Sequence, residues 1–203
     1  NKVLCDFFAS GTYDRKREFF KTNSPSMDIL ISSNLERLLF ELCGKNPSIV
    51  CGWMKDLAEK GEYSVDSKTL RMLQSNFVGG FADETGVAKT ILEVYDRTDH
   101  VIDTHTAVGF NIYYRYHTRS KDECKTIFAS TASPFKFAPA VIDSIRGAGY
   151  SNGRSIETVI KELADEGGLE IPAAIAELSS KPVRHTDFIE KDEMEVKVKE
   201  ILM

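Results

Sequence analysis

A short apolar run that breaks into hydroxyls and then into a proline-led helical stripe limits what this chain can become. Lys125-Thr126-Ile127-Phe128-Ala129 is β-branched and aromatic, the composition of a strand buried on both faces. Pro134 suits the first turn of a helix, where its missing N–H costs nothing, and Phe137, Val141, Ile142 and Ile145 then recur at helical spacing. Ser130-Thr131-Ala132-Ser133 is therefore a strand-to-helix crossing. In an open α/β sheet such crossings leave the carboxyl ends of the strands, where ligands commonly sit because loop hydroxyls and helix N–H groups converge there. That puts Ser130, Thr131 and Ser133 on a candidate site rim. On composition alone the simpler account leads: a turn whose hydroxyls cap the next helix.

The rest of the chain alternates between helical stripes and short apolar steps. Val3, Leu4, Phe7 and Phe8 predict a helix stopped by Gly11, and Tyr13 to Asn23, charged and aromatic without a period, predicts a loop. Ile29-Leu30-Ile31 is strand-like. Ser33 and Glu36 have the spacing of a capping box ahead of the stripe Leu35, Leu38, Leu39 and Leu42. Further helices are predicted from about Ser48 to Gly61, behind Asp66, through Val87, Ile91, Val94 and Tyr95, and behind Asp103 or Thr104 through Ile112 to Tyr116. Phe77 to Ala82 is expected as a strand whose Gly79-Gly80 marks a close backbone approach. Beyond Gly149 three helical stripes follow, the last a surface helix with Met194, Val198 and Ile201 on its packed face. Strands alternating with helices predict an α/β layer architecture.

Composition narrows the function classes. A formal charge of −5 argues against a nucleic-acid partner, which needs clustered Lys and Arg. The four cysteines show neither a Cys-x-x-Cys pair nor zinc-site spacing, so reduced, mostly buried thiols and no metal are expected. No apolar stretch approaches the roughly 18 residues that span a bilayer, and no signal peptide is visible, so a cytoplasmic protein without a membrane partner is expected.

Several residues could carry chemistry. His105 follows a helix cap and could polarise a substrate group from a helix N-terminus, against a plainer role in capping and packing. No G-x-S-x-G nucleophile accompanies Asp103 and His105, so they do not read as a triad. His117 and His185 are expected to face solvent. Lys136 is rejected as a Schiff-base residue, because such a lysine must be desolvated and a first-turn lysine points to water. Asn34 and Arg37, on the opening turn of the Leu35 helix, form a candidate anion site, against a solvated charged face shared with Glu36 and Glu41. Gly79-Gly80 lacks both phosphate-loop spacings.

Thr131-Ala132-Ser133-Pro134-Phe135-Lys136-Phe137 resembles the Thr-Ala-x-Pro-x-Lys-Phe segment of threonine synthase, a pyridoxal-phosphate enzyme of fold type II. Ser24-Pro25-Ser26-Met27-Asp28-Ile29 with Asn34 and Arg37 is similar to the stretch that follows that family's cofactor-phosphate region. Ile102 to Val108 is similar to its I-D-P-H-T-A-V element, with Thr104 in place of the usual proline, and Lys181 to His185 to its C-terminal tail. Beyond the Thr131 segment, three ordered motifs at compatible spacing make the resemblance specific.

The resemblance implies an α/β fold belonging to the large domain of a fold-type II enzyme, with residues 1–149 in its catalytic domain and 150–203 as a helical extension packed on it. It implies that Thr131 faces the pyridine nitrogen of the cofactor and that Asn34, Arg37 and His105 lie on the substrate side. The family's Schiff-base lysine and phosphate-cradling loop precede the point that matches Asn1, so this chain is expected to supply no catalytic lysine, to lack bound pyridoxal phosphate and to be inactive alone. The intact enzyme would convert O-phospho-L-homoserine and water to L-threonine and phosphate. Its partners would be its own upstream half and a small-molecule substrate, with self-association of the isolated chain through unpaired edges and apolar faces. Two alternatives stay open: a non-catalytic module binding small phosphorylated ligands, and a fold-type II dehydratase.

Overall fold

Helix punctuation residues set the frame of the computed structural model, which describes residues 1–184 and 186–203. Gly11, Gly61 and Gly168 adopt the left-handed conformation that closes a helix without a Cβ penalty. At the opposite ends the Asp66, Asp83 and Asp103 carboxylates accept the free N–H groups of the opening turns. The resulting helices are α1 (Val3–Ser10), α2 (Leu35–Leu42), α3 (Pro47–Lys60), α4 (Ser67–Asn76), α5 (Glu84–Thr98), α6 (Thr104–Ser120), α7 (Ala138–Arg146) and α8 (Ile156–Gly167), with α9 (Ala173–Ala176) and α10 (Met194–Leu202) beyond. His185 and the motif position it occupies lie outside the described residues.

The sheet is small. Strands β1 (Thr12–Asp14) and β2 (Glu62–Ser64) pair antiparallel with Tyr13 opposite Tyr63, and β1 falls where the sequence predicts a loop. Neither Lys125–Ala129 nor Phe77–Ala82 nor Ile29–Ile31 forms a strand. A strand needs a neighbour for its N–H and C=O groups, and none of these segments has one among the described residues. What made them strand-like is used otherwise. Phe128 stacks on Phe110 with centroids 3.7 Å apart. A Cβ on Gly79 would sit 2.9 Å from Phe8 Cβ, and one on Gly80 2.7 Å from Ile112 Cγ2, so the glycines do mark close approaches.

Around β1 and β2 the first core gathers Val3 and Phe7 of α1, Leu35, Leu39 and Leu42 of α2, Trp53 and Leu57 of α3, and Leu73 of α4. Its centre is aromatic: Tyr13 stacks on Tyr63 at 5.4 Å, and Phe7 meets both rings near 5.7 and 5.8 Å. Burial pushes both phenols upward, and at Tyr63 the neighbouring Tyr13 adds a smaller push in the same direction. The Tyr13 hydroxyl donates to the Leu30 carbonyl at 3.0 Å and accepts the Ser32 N–H at 2.8 Å, tying the segment before α2 to the sheet. Replacing Tyr13 with Phe strands both backbone groups, and the expected cost is about 1–3 kcal/mol; urea titration checks this, and an unchanged midpoint would contradict it.

A second buried group joins α5, α6, α7 and α8 through Ile91, Val94, Ala107, Val141, Ile142 and Leu163. Phe135, in the 3-10 turn Pro134–Phe137 that leads into α7, is buried with them. Residues 150–170, assigned by sequence to the extension, belong to the compact unit Asn1–Glu170. Their helix α8 buries Val159, Leu163 and Ala164 and packs on α7.

Residues Ile171–Met203 form a separate unit. Glu190 and Glu193 make a reciprocal capping box at the turn Lys191–Glu193, which runs into α10. No residue of α10 is buried.

The cysteines are free, with Cys51 and Cys124 exposed and Cys5 and Cys43 half-buried, so their expected burial is not realised. Among the described residues no helix is long and apolar enough to cross a membrane, and no group of three or more His, Cys, Asp or Glu could hold a metal ion.

Candidate functional site

Asp103 is the fixed point of the candidate site. Its carboxylate is fully buried, a position that a carboxylate holds only when donors surround it. Oδ1 accepts the His105 N–H at 2.8 Å and the Thr106 N–H at 3.4 Å, which caps α6. Oδ2 accepts the Thr106 hydroxyl in a short hydrogen bond.

His105 Nδ1 also lies 3.1 Å from Asp103 Oδ1, while its Nε2 accepts the backbone N–H of Ser26 at 3.1 Å. A backbone N–H can only donate, so Nε2 carries the lone pair and the ring proton sits on Nδ1, facing the carboxylate. Both ring nitrogens are thus engaged within the chain. The ring also packs on Phe137, centroids 4.7 Å apart.

The site extends in two directions from this helix end. The Thr104 hydroxyl donates to the Asn23 carbonyl at 2.8 Å, and Asn23 donates in turn to the Glu84 carboxylate through its N–H and its side-chain amide. A proline at position 104 would fit the first helical turn equally well but has no hydroxyl, so this chain gains a tether from the departure noted in its sequence. On the other side Thr106 Oγ1 lies 3.1 Å from Ser130 Oγ, the residue before Thr131. Thr131 itself is exposed, and among the described residues no hydrogen bond involves its hydroxyl. Lys136 is exposed as expected, its ammonium 5.6 Å from the Phe137 ring centroid.

The structure therefore brings together His105, the turn at Ser26 and the loop at Ser130-Thr131. It pairs Asn34 and Arg37 separately: Arg37 Nη2 donates to Asn34 Oδ1 at 2.7 Å. With that oxygen taken, Asn34 precedes α2 without capping it, and the expected Ser33–Glu36 capping box does not form. Glu41, read with Arg37 as one charged face, pairs instead with Lys45 at 3.4 Å. Arg37 borders a cavity of about 450 Å³ between α2 and α3. No hydrogen bond among the described residues links this pair to the His105 network. His117 is half-buried and packs against Tyr113, centroids 5.7 Å apart, instead of standing in solvent.

Three stretches that are far apart in sequence thus meet at one helix end. Residues 106–200 match the family model described as threonine synthase, C-terminal. Threonine synthase from Saccharomyces cerevisiae is 33% identical over 176 residues, which cover 80% of this chain and 34% of the yeast protein. The chain resembles the carboxyl-terminal part of threonine synthases. Human threonine synthase-like 1 is 33% identical over 147 residues, 72% of this chain and 19% of that protein. The crystal structure of yeast threonine synthase superposes with a TM-score of 0.75 at 30% identity, covering 98% of this chain and 39% of the yeast one. A pyridoxal-phosphate-bound threonine synthase from Brucella melitensis gives 0.66 at 27% identity, covering 81% of this chain and 38% of its own. The fold is that of the carboxyl-terminal portion of these fold-type II enzymes, mostly helical with a small sheet. The chain spans roughly a fifth to a third of the length of these curated relatives.

In the sequence Asp103 is legible as a helix cap and not as a triad member, and Ser26 and Thr106 are legible only as parts of family-like motifs. Thr104 in the place of a proline was the one local signal; Ser26 and His105 are 79 positions apart, and nothing local could pair them.

Proposed function

We propose that this chain supplies one wall of the catalytic centre of a threonine synthase, which converts O-phospho-L-homoserine and water to L-threonine and phosphate. The observation that carries this reading is the convergence of the three family-like segments, at Ser26, His105 and Ser130-Thr131, on the Asp103 carboxylate. A catalytic wall requires such preorganisation, since groups that must be positioned during the reaction add their reorganisation to the barrier.

The residues present fit pyridoxal phosphate at one point. Thr131 presents an exposed hydroxyl that is not used within the chain, and a hydroxyl can meet the pyridine nitrogen as donor or acceptor. When bound, the cofactor supplies an electron sink for carbanions. Thr131 would orient the ring and, being uncharged, would bring no negative charge to hold a proton on that nitrogen. Asn34 and Arg37 are proposed for the anionic end of the substrate, where a guanidinium can bind phosphate bidentately. His105, with both nitrogens engaged, would serve the substrate side by holding the Ser26 turn in place. The Schiff-base lysine is proposed to come from an upstream half, and the tail from Ile171 is proposed as a helical extension of the same enzyme.

The test is to join the chain to its natural upstream half, add pyridoxal phosphate and measure phosphate release from O-phospho-L-homoserine. Turnover is expected from the joined protein and none from this chain alone. A joined protein that folds and binds pyridoxal phosphate without turnover would overturn the reading. Binding of phosphohomoserine without turnover would instead favour a non-catalytic module.

A further inference from the structure

The loop that carries Thr131 is almost untethered. Across residues 127–132 the contact between Ser130 and Thr106 is the sole hydrogen bond among the described residues. The stacking of Phe128 on Phe110 holds the loop on one side of Thr131, and burial of Phe135 holds it on the other. Between those anchors the Ser130 hydroxyl is the one hydrogen-bonded tether beside Thr131 among the described residues.

The chemistry of Thr106 makes that contact directional. Its one hydroxyl proton is committed to Asp103 Oδ2, because an ionised carboxylate is the stronger acceptor. Its oxygen is left as acceptor, so the Ser130 hydroxyl donates across the 3.1 Å contact. Thr106 is buried and sits in the first turn of α6, where its backbone N–H is also held by Asp103. The acceptor that Ser130 meets is therefore rigid.

We propose that Thr106 is a positioning residue, which acts through Ser130 to aim the Thr131 hydroxyl. This deepens the function proposed above and rests on it, since Thr131 matters only if it meets the cofactor. The buried Asp103 sets the Thr106 proton, the Thr106 oxygen sets Ser130, and Ser130 sets its neighbour.

The test uses the joined enzyme with pyridoxal phosphate bound. Thr106→Val removes both the donation to Asp103 and the acceptor for Ser130, whereas Ser130→Ala removes only the second and leaves the helix cap intact. Each is expected to lower kcat on the order of 10- to 100-fold, the cost of a small misplacement of a working group, with KM for phosphohomoserine within about threefold. Each should shift the visible absorption of the bound cofactor. Thr106→Ser, which keeps the hydroxyl, should restore both, and the double variant should be no worse than the poorer single one. Unchanged kcat and absorption in Ser130→Ala, or losses that add in full, would overturn the proposal. If the joined wild type shows no turnover, the proposed function fails on its own, and the tether is read in the 203-residue chain by amide relaxation. There Ser130→Ala should raise mobility at Ser130 and Thr131, and unchanged relaxation would overturn it.

Discussion

Replacing Thr131 with aspartate in the joined enzyme is expected to lower turnover by about two orders of magnitude, the scale on which one polar group aimed at the reacting system acts. The direction follows from charge. A carboxylate beside the pyridine nitrogen would favour the protonated ring, since an opposite charge within a few ångströms stabilises the charged form, and would change how strongly electrons are drawn from the substrate. Thr131→Ser, which keeps a neutral hydroxyl, is expected to retain most of the rate. Folding should be spared in both: the side chain is exposed and lies in a loop without regular structure, where substitutions stay within about 0.5 kcal/mol. Steady-state phosphate release with a parallel urea titration checks both halves, and an unchanged rate in Thr131→Asp would remove the role assigned to this hydroxyl.

The second large effect is on stability. Phe7 is completely buried and touches the Tyr13 and Tyr63 rings at the centre of the first core. Phe7→Ala removes those ring contacts and leaves a cavity that a two-stranded sheet of three-residue strands cannot close by itself. The expected loss is about 3–5 kcal/mol, a large share of the roughly 5–15 kcal/mol that a domain has in total. Phe19→Ala is the control. Phe19 is 51% exposed, and the same chemical change there should cost under about 0.5 kcal/mol. Equal shifts of the urea midpoint for the two variants would contradict the assignment of the core.

These effects fall on features that were unequally legible in the sequence. The helices were legible because their signals are local: an apolar stripe, an aspartate such as Asp66 or Asp103 before it, and a glycine such as Gly11 or Gly61 after it. The pairing of β1 with β2 was not, since three residues show no period and the partners Tyr13 and Tyr63 are 50 positions apart. The strand-like look of Lys125–Ala129 and Phe77–Ala82 reflected real constraints, aromatic stacking at Phe128 and close approach at Gly79 and Gly80, but those constraints did not produce strands. Hydrophobic pattern states that a segment must be covered; it does not name what covers it.

The site was legible in pieces. The family resemblance put Ser26, His105 and Thr131 in separate motifs, and only three-dimensional packing joins the first two directly and reaches the third through Asp103, Thr106 and Ser130. Asn34 and Arg37 were proposed together from one helix turn, and they do contact each other. That pairing was accessible because i and i+3 positions share a helix face.

The joined enzyme crystallised with pyridoxal phosphate gives the most direct test. The account predicts Thr131 Oγ1 within about 2.7–3.2 Å of the pyridine nitrogen, with the Ser130 hydroxyl still on Thr106. A ring nitrogen met by another side chain, with Thr131 turned to solvent, would contradict it.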